Sequence, residues 1–130
     1  MTSPSLAIQA ALVAQIRALN TAADARVYSV IPQNAAYPYV MVWPGVETPI
    51  DEECFDRTET AQQIDVWADS TSYIKTKEVA AAIRAAFHEK PMTIDGHTVD
   101  RVRVETINYS DTPPTYRARI NLTIDTQPVA

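Results

Sequence analysis

The sequence predicts an α+β domain in which an antiparallel sheet carries two α-helices on one side and includes a long β-hairpin loop. Three observations predict it. Two segments, near the start and just past the middle, repeat apolar residues at three- and four-residue intervals. Several others alternate apolar and polar residues, as half-buried strands do. The order is helix, three strands, helix, then three or so strands, which favours antiparallel pairing over repeated strand-helix-strand units. With 130 residues, the chain fits one domain, 1–130, burying roughly 65–70% of its unfolded surface.

The first helix has Ser3 as a cap and Pro4 at its first position. Ile8, Ala11, Leu12, Ile16 and Leu19 form one apolar stripe that runs up to Asn20. Arg26 to Ile31 is a short strand. Gln33 to Pro38 is a loop, because Pro32 and Pro38 disfavour helix before them. Tyr39 to Trp43 is a dense β-forming run, stopped by Pro44-Gly45.

Thr58 to Ala68 pairs with that run, leaving a connection of about a dozen residues, longer than the two to five usual for hairpins. Such a loop is a candidate interaction element. Its strand, Ile64 to Ala68, runs into a cap at Ser70 or Thr71 and an alanine-rich helix from Tyr73 to Glu89, with Val79, Ala82, Ile83, Ala86 and Phe87 on the buried side. Asp95-Gly96 is a hairpin turn between Met92–Ile94 and Thr98–Val99. Val102, Val104 and Thr106 then alternate with Arg101, Arg103 and Glu105. After Pro113-Pro114, Tyr116 through Ile124 alternate with Arg117 through Asp125, giving a core side and a wet side.

Composition narrows the function. Hydrophobic residues at 46% and charged residues at 21% exclude a disordered chain. Gly45 and Gly96 are the only glycines, which excludes a glycine-rich phosphate cradle. The lone Cys54 cannot form an internal disulfide, and the start lacks the features of a signal peptide, so the expectation is a soluble protein of a reducing cytoplasm. No apolar run reaches the ~20 residues of a membrane span.

The net charge of −5 is unevenly spread. Glu47, Asp51, Glu52, Glu53 and Asp56 form an acidic run without a basic residue, while Arg101, Arg103, Arg117 and Arg119 alternate within two late strands. An overall acidic chain with pI near 4.9 argues against sequence-specific nucleic-acid binding.

Reactive chemistry is not indicated. His88 and His97 match no metal-ligand spacing, and Cys54 lies among acids that disfavour its thiolate. The acidic run lacks the glycine and oxygen spacing of a calcium loop. Asp65 and Asp69 have ordinary strand-edge and cap readings. Neither a catalytic residue, a metal site nor a cofactor is expected. Tyr37, Tyr39, Trp43, Trp67 and Tyr73 could line a ligand pocket, although aromatics in β-runs more often serve core or interface.

The order Ala-Leu-Val-Ala-Gln-Ile-Arg-Ala-Leu, Arg26-Val27-Tyr28, Tyr37-Pro38-Tyr39-Val40-Met41-Val42, Ile64-Asp65-Val66-Trp67-Ala68 before an alanine-rich helix, and Tyr116-Arg117-Ala118-Arg119-Ile120 covers nearly the whole chain. It resembles the small tail-completion or tail-terminator proteins of long-tailed phages and gene transfer agents. The resemblance implies a non-enzymatic virion subunit in the tail or neck, assembled in the host bacterial cytoplasm. It also implies a hexameric ring at the head-proximal end of the tail tube, with the tail tube protein and the head-tail connector protein as partners and DNA passing through. Neighbouring neck and tube proteins share a similar fold, so the station along the particle stays open.

A closed ring needs two different patches on each subunit. The acidic loop Glu47–Asp56 and the arginines 101, 103, 117 and 119 supply a complementary pair. Two alternatives stand beside this. The arginines could instead pair with Glu59, Asp65 and Glu105 of their own sheet, or the loop could point along the ring axis with Ile50 and Phe55 as exposed anchors. The rival from another class is a small ligand-binding or hydrolytic domain whose pocket lies among Tyr37, Trp43, Trp67 and Tyr73.

Overall fold

The computed structural model describes residues 3–52, 55–69 and 73–129. Helix α1 (Ser5–Ala18) leads into strands β1 (Val27–Tyr28), β2 (Tyr39–Val42), β3 (Val46–Glu52) and β4 (Phe55–Ala68). Helix α2 (Ile74–Phe87) follows, and then the long strands β5 (His97–Thr112) and β6 (Thr115–Pro128). All six strands form one sheet in the order β1-β2-β4-β6-β5, with β3 beside β4 on the same side as β2. The sheet is antiparallel apart from the parallel pair β1/β2, and so it is mixed.

Period-2 alternation builds the core. Ala118, Ile120, Leu122 and Ile124 of β6 share a face with Ile64 and Val66 of β4 and Val40 and Val42 of β2, and all are buried. Onto that face α1 lays Ile8, Leu12 and Ile16, and α2 lays Val79, Ala80, Ile83 and Phe87. Each large buried aliphatic contributes about 1.5–3 kcal/mol relative to exposure. Because both helices take the same face, the opposite face is left without a covering layer.

Local chemistry sets the joints. Ser3 Oγ accepts the Ser5 N–H at 3.3 Å, but Pro4 rather than Ser3 holds the N-cap position, so the helix starts one residue later than expected. Asn20 ends α1 in the left-handed region (φ 54). Arg17 in its last turn donates to the Val27 carbonyl at 2.8 Å, tying the helix to β1. Gly45 sits where β2 gives way to β3. A Cβ there would lie 2.8 Å from Thr60 Cγ2 and 3.0 Å from Gln62 Oε1, so the close approach needs glycine.

Four expectations change. The strand expected over Arg26–Ile31 shrinks to Val27–Tyr28, because the chain leaves the sheet and Val30 faces solvent. The long connection after Trp43 is itself a ladder from Val46↔Ala61 to Glu52↔Phe55. Met92–Ile94 contributes one bridge, Ile94↔His97, rather than a strand, although Gly96 does turn at φ 75. Thr106 is exposed rather than core-facing, since a register shift between Val104 and Thr106 moves the alternation by one and brings Ile107 against the core. The cap expected at Ser70 or Thr71 lies outside the described residues.

Candidate assembly interface

The uncovered face is organised around Asp65. It is fully buried in the middle of β4, not at a strand edge as its sequence position suggested. Arg119, directly opposite on β6, grips it with Nε at 3.0 Å and Nη2 at 3.2 Å, and Trp43 Nε1 donates to it at 2.9 Å. The bond to Asp65 raises the pKa of the Arg119 guanidinium above its ordinary value. A charge buried without such partners would be costly, so the network locks β2, β4 and β6 in register. Pairing of the arginines with Asp65 is one of the alternatives the sequence offers, and Arg119 takes it up; the burial of Asp65 and the Trp43 bond are what sequence reasoning missed.

The four arginines do not form one stripe. Arg117 and Arg119 lie on the inner strand β6, whereas Arg101 and Arg103 lie on the edge strand β5. Arg101 forks onto Glu89 at 2.8 and 2.7 Å, and Arg103 reaches Glu105 at 2.6 Å. Arg117 lies over the Trp67 ring at 5.3 Å. Two of the expected acidic partners, Asp65 and Glu105, are therefore used within the subunit, while Glu59 stays exposed.

The acidic residues lie across the sheet from β5. Glu47 meets Ser3 at the start of α1, where a carboxylate also complements the helix dipole. Ile50 and Asp56 are half-buried. Asp51 and Glu52 belong to β3 and Phe55 to β4, with Asp51 opposite Asp56 in register. Glu53 and Cys54 lie outside the described residues. The rungs from Ile50↔Arg57 to Glu52↔Phe55 continue past the end of β6 pairing at Thr58↔Thr126, so the hairpin projects as an arm.

The aromatic residues do not share one pocket. Tyr37 and Tyr28 pack on Tyr39 at 5.3 and 6.2 Å, on the β2 side. Tyr73 instead meets Tyr109 and Tyr116 edge-on at 6.1 and 5.0 Å, on the helix face. The histidines serve the backbone: His88 Nδ1 accepts the Val104 N–H at 2.9 Å, and His97 Nδ1 lies 3.1 Å from the Asp95 carbonyl. Among the described residues, no group of three acids, histidines or cysteines is placed to hold a metal. No helix among the described residues is long and apolar enough to cross a membrane.

Residues 6–126 match the family model described as tail completion protein gp17. The chain belongs to this family. It is accordingly a structural protein of the phage-tail type. Among solved structures, a chain from the virion of a native gene transfer agent particle superposes with a TM-score of 0.82 at 17% identity, covering 98% of this chain and 99% of its own. A second superposes with a TM-score of 0.58 at 19% identity, covering 96% and 94%. At such identities the likeness establishes the fold alone. No curated protein sequence matches the chain.

Proposed function

We propose that this tail completion protein forms a six-membered ring at the head-proximal end of a tail tube. There it ends tube growth and joins tail to head by surface complementarity, without catalysis. The tail tube protein binds one face and the head-tail connector protein the other, with DNA passing through. Assembly takes place in the host bacterial cytoplasm, and the subunit ends in the tail or neck of a phage or gene transfer agent particle. Family membership supports the class of role, and one geometric observation supports the ring. The acidic β3/β4 arm and the arginines 101 and 103 occupy opposite sides of one sheet, with β4 and β6 between them.

A subunit with unlike patches on opposite sides makes head-to-tail contacts, which close when the rotation per step divides a full turn. In this contact the acids Glu47, Asp51, Glu52, Glu53 and Asp56 of one copy meet Arg101 and Arg103 of the next, whereas Ile50 and Phe55 would serve as apolar anchors if the arm instead contacts the tube. Exchanging an exposed intrasubunit pair for an intersubunit one costs little, since exposed pairs are worth under about 1 kcal/mol. Arg119, held by buried Asp65, stays in place and with Arg117 stiffens the neighbouring strand.

Charge reversal tests this. Sedimentation velocity at low salt should show the ring for the native protein mixed with tail tubes, and subunits only for R101E/R103E, whose circular dichroism stays native. An unchanged ring in the reversed protein would overturn the interface. Deleting residues 48–56 should likewise abolish the ring; a ring that persists while tail length changes would instead assign the arm to the tube.

A further inference from the structure

The far half of β5 is an unprotected strand edge running beside a basic helix row. Hydrogen-bonding direction alternates along an antiparallel strand. Counting from the pair Thr112↔Thr115 that closes the two-residue turn, the backbones of Ile107, Tyr109 and Asp111 point away from β6. The same alternation continues past the bulge. There the outward carbonyl of Val102 accepts the Glu89 N–H at 2.8 Å, and the outward N–H of Val104 donates to His88 Nδ1 at 2.9 Å. The end of α2 thus caps β5 as far as Val104. Beyond it, among the described residues, no backbone group of another element pairs with the edge.

Alongside the open stretch lies a groove of about 360 Å³ between α2 and β5, lined by Arg84 and His88 on one side and by Val104 to Ile107 and Tyr109 on the other, with Glu105 as its one acid. Lys77 and Arg84 are spaced seven residues, about two turns, apart along one face of α2, and His88 caps its end. Lys77 Nζ sits over the Tyr109 ring at 5.0 Å. Among the described residues neither Lys77 nor Arg84 has a carboxylate partner. The acids on this side are engaged elsewhere: Glu105 with Arg103, and Asp111 with the Tyr73 hydroxyl at 2.7 Å.

We propose that this groove binds an extended acidic segment of a second virion protein, which adds to β5 as a further strand. Main-chain bonds to Ile107, Tyr109 and Asp111 would supply affinity, and carboxylates facing Lys77 and Arg84 would supply selectivity. A copy of this chain is a poor occupant. The acidic edge it offers, β3, carries Pro49 at an outward position, where proline has no N–H to give. The inference does not need the ring, because it uses neither the arm nor Arg101, and Arg103 enters it only as the partner of Glu105.

The probe is a capped eight-residue peptide alternating aspartate with valine, with a lysine-for-aspartate version as control. In fluorescence anisotropy the acidic peptide should bind, and K77E/R84E should weaken it roughly tenfold or more. Amide exchange should slow at residues 107, 109 and 111 and stay unchanged at 108 and 110. Y109P should lose binding while Y109A, which keeps the N–H, retains it. Equal binding of both peptides, protection without alternation, or β5-to-β5 dimers that exclude the peptide would overturn the proposal.

Discussion

Along β3 the outward backbone positions are Glu47, Pro49 and Asp51, counted from the pair Glu52↔Phe55; along the far half of β5 they are Ile107, Tyr109 and Asp111. The first set lacks one donor and lies among acids. The second is complete and carries no proline. Unpaired edges invite pairing with other chains, and proteins blunt those that must stay single. The difference fits the division of labour proposed above, in which the β3 side would meet its neighbour through charge and the β5 side would keep its backbone open for a partner strand.

Asp65 fixes the distance between these two sides, so its removal should have the largest effect. Asp65→Ala leaves Arg119 and Trp43 without their acceptor. With Arg119 about one-third exposed and able to recover some water, the cost is about 3 kcal/mol. Urea unfolding should show it, and amide exchange should quicken along both β3 and β5. Asp65→Asn, which keeps an acceptor for Trp43, should cost less. A loss confined to one edge would mean that the two sides are set independently.

Pro49→Thr bears directly on the contrast. It restores an outward donor at the centre of β3 while changing stability little, because exposed edge positions are worth well under about 1 kcal/mol. Light scattering should reveal new self-association, strongest at high salt where the acidic arm is screened. A variant as monodisperse as the native subunit would show that charge alone protects this edge, and that Pro49 has no part in the asymmetry.

Much of this architecture is legible in the sequence because it follows from local periodicity. The stripe Ile8, Leu12, Ile16 and the alternation from Ala118 to Ile124 specify their elements and their faces without help from the rest of the chain. What escaped depends on register across strands. Nothing local to Val46–Glu52, with a proline in its middle and four acids or threonines, marks it as a strand; it becomes one because β4 extends far enough to pair with it. The arginines illustrate the same limit. Alternation within each strand is readable, but the split into an edge pair and an inner pair, and the burial of Asp65 beneath Arg119, arise from the strand order β4-β6-β5. The bulge after Val104 is likewise invisible, since it moves Thr106 outward against a sequence pattern that continues regularly.

The smallest expected effect concerns acid, and it separates the two sides by titration. Arg101 bonded to Glu89 holds that carboxyl below its ordinary value of 4.5, and Arg103, with Thr123 assisting, does the same for Glu105. Both acids therefore protonate later in the folded protein than in the unfolded chain. Their contribution is whole above the ordinary value and is lost as pH falls through the lowered one. Thermal melting followed from about pH 5 down to about pH 3 should decline in the native protein and decline less in E89Q/E105Q, which has no such proton uptake to lose. Because both pairs are exposed, the difference should also shrink as salt rises. Parallel declines in the two proteins would mean that the pairs are too weakly held to matter, and Arg101 and Arg103 would then be free to reach a neighbouring arm at no cost to their own subunit.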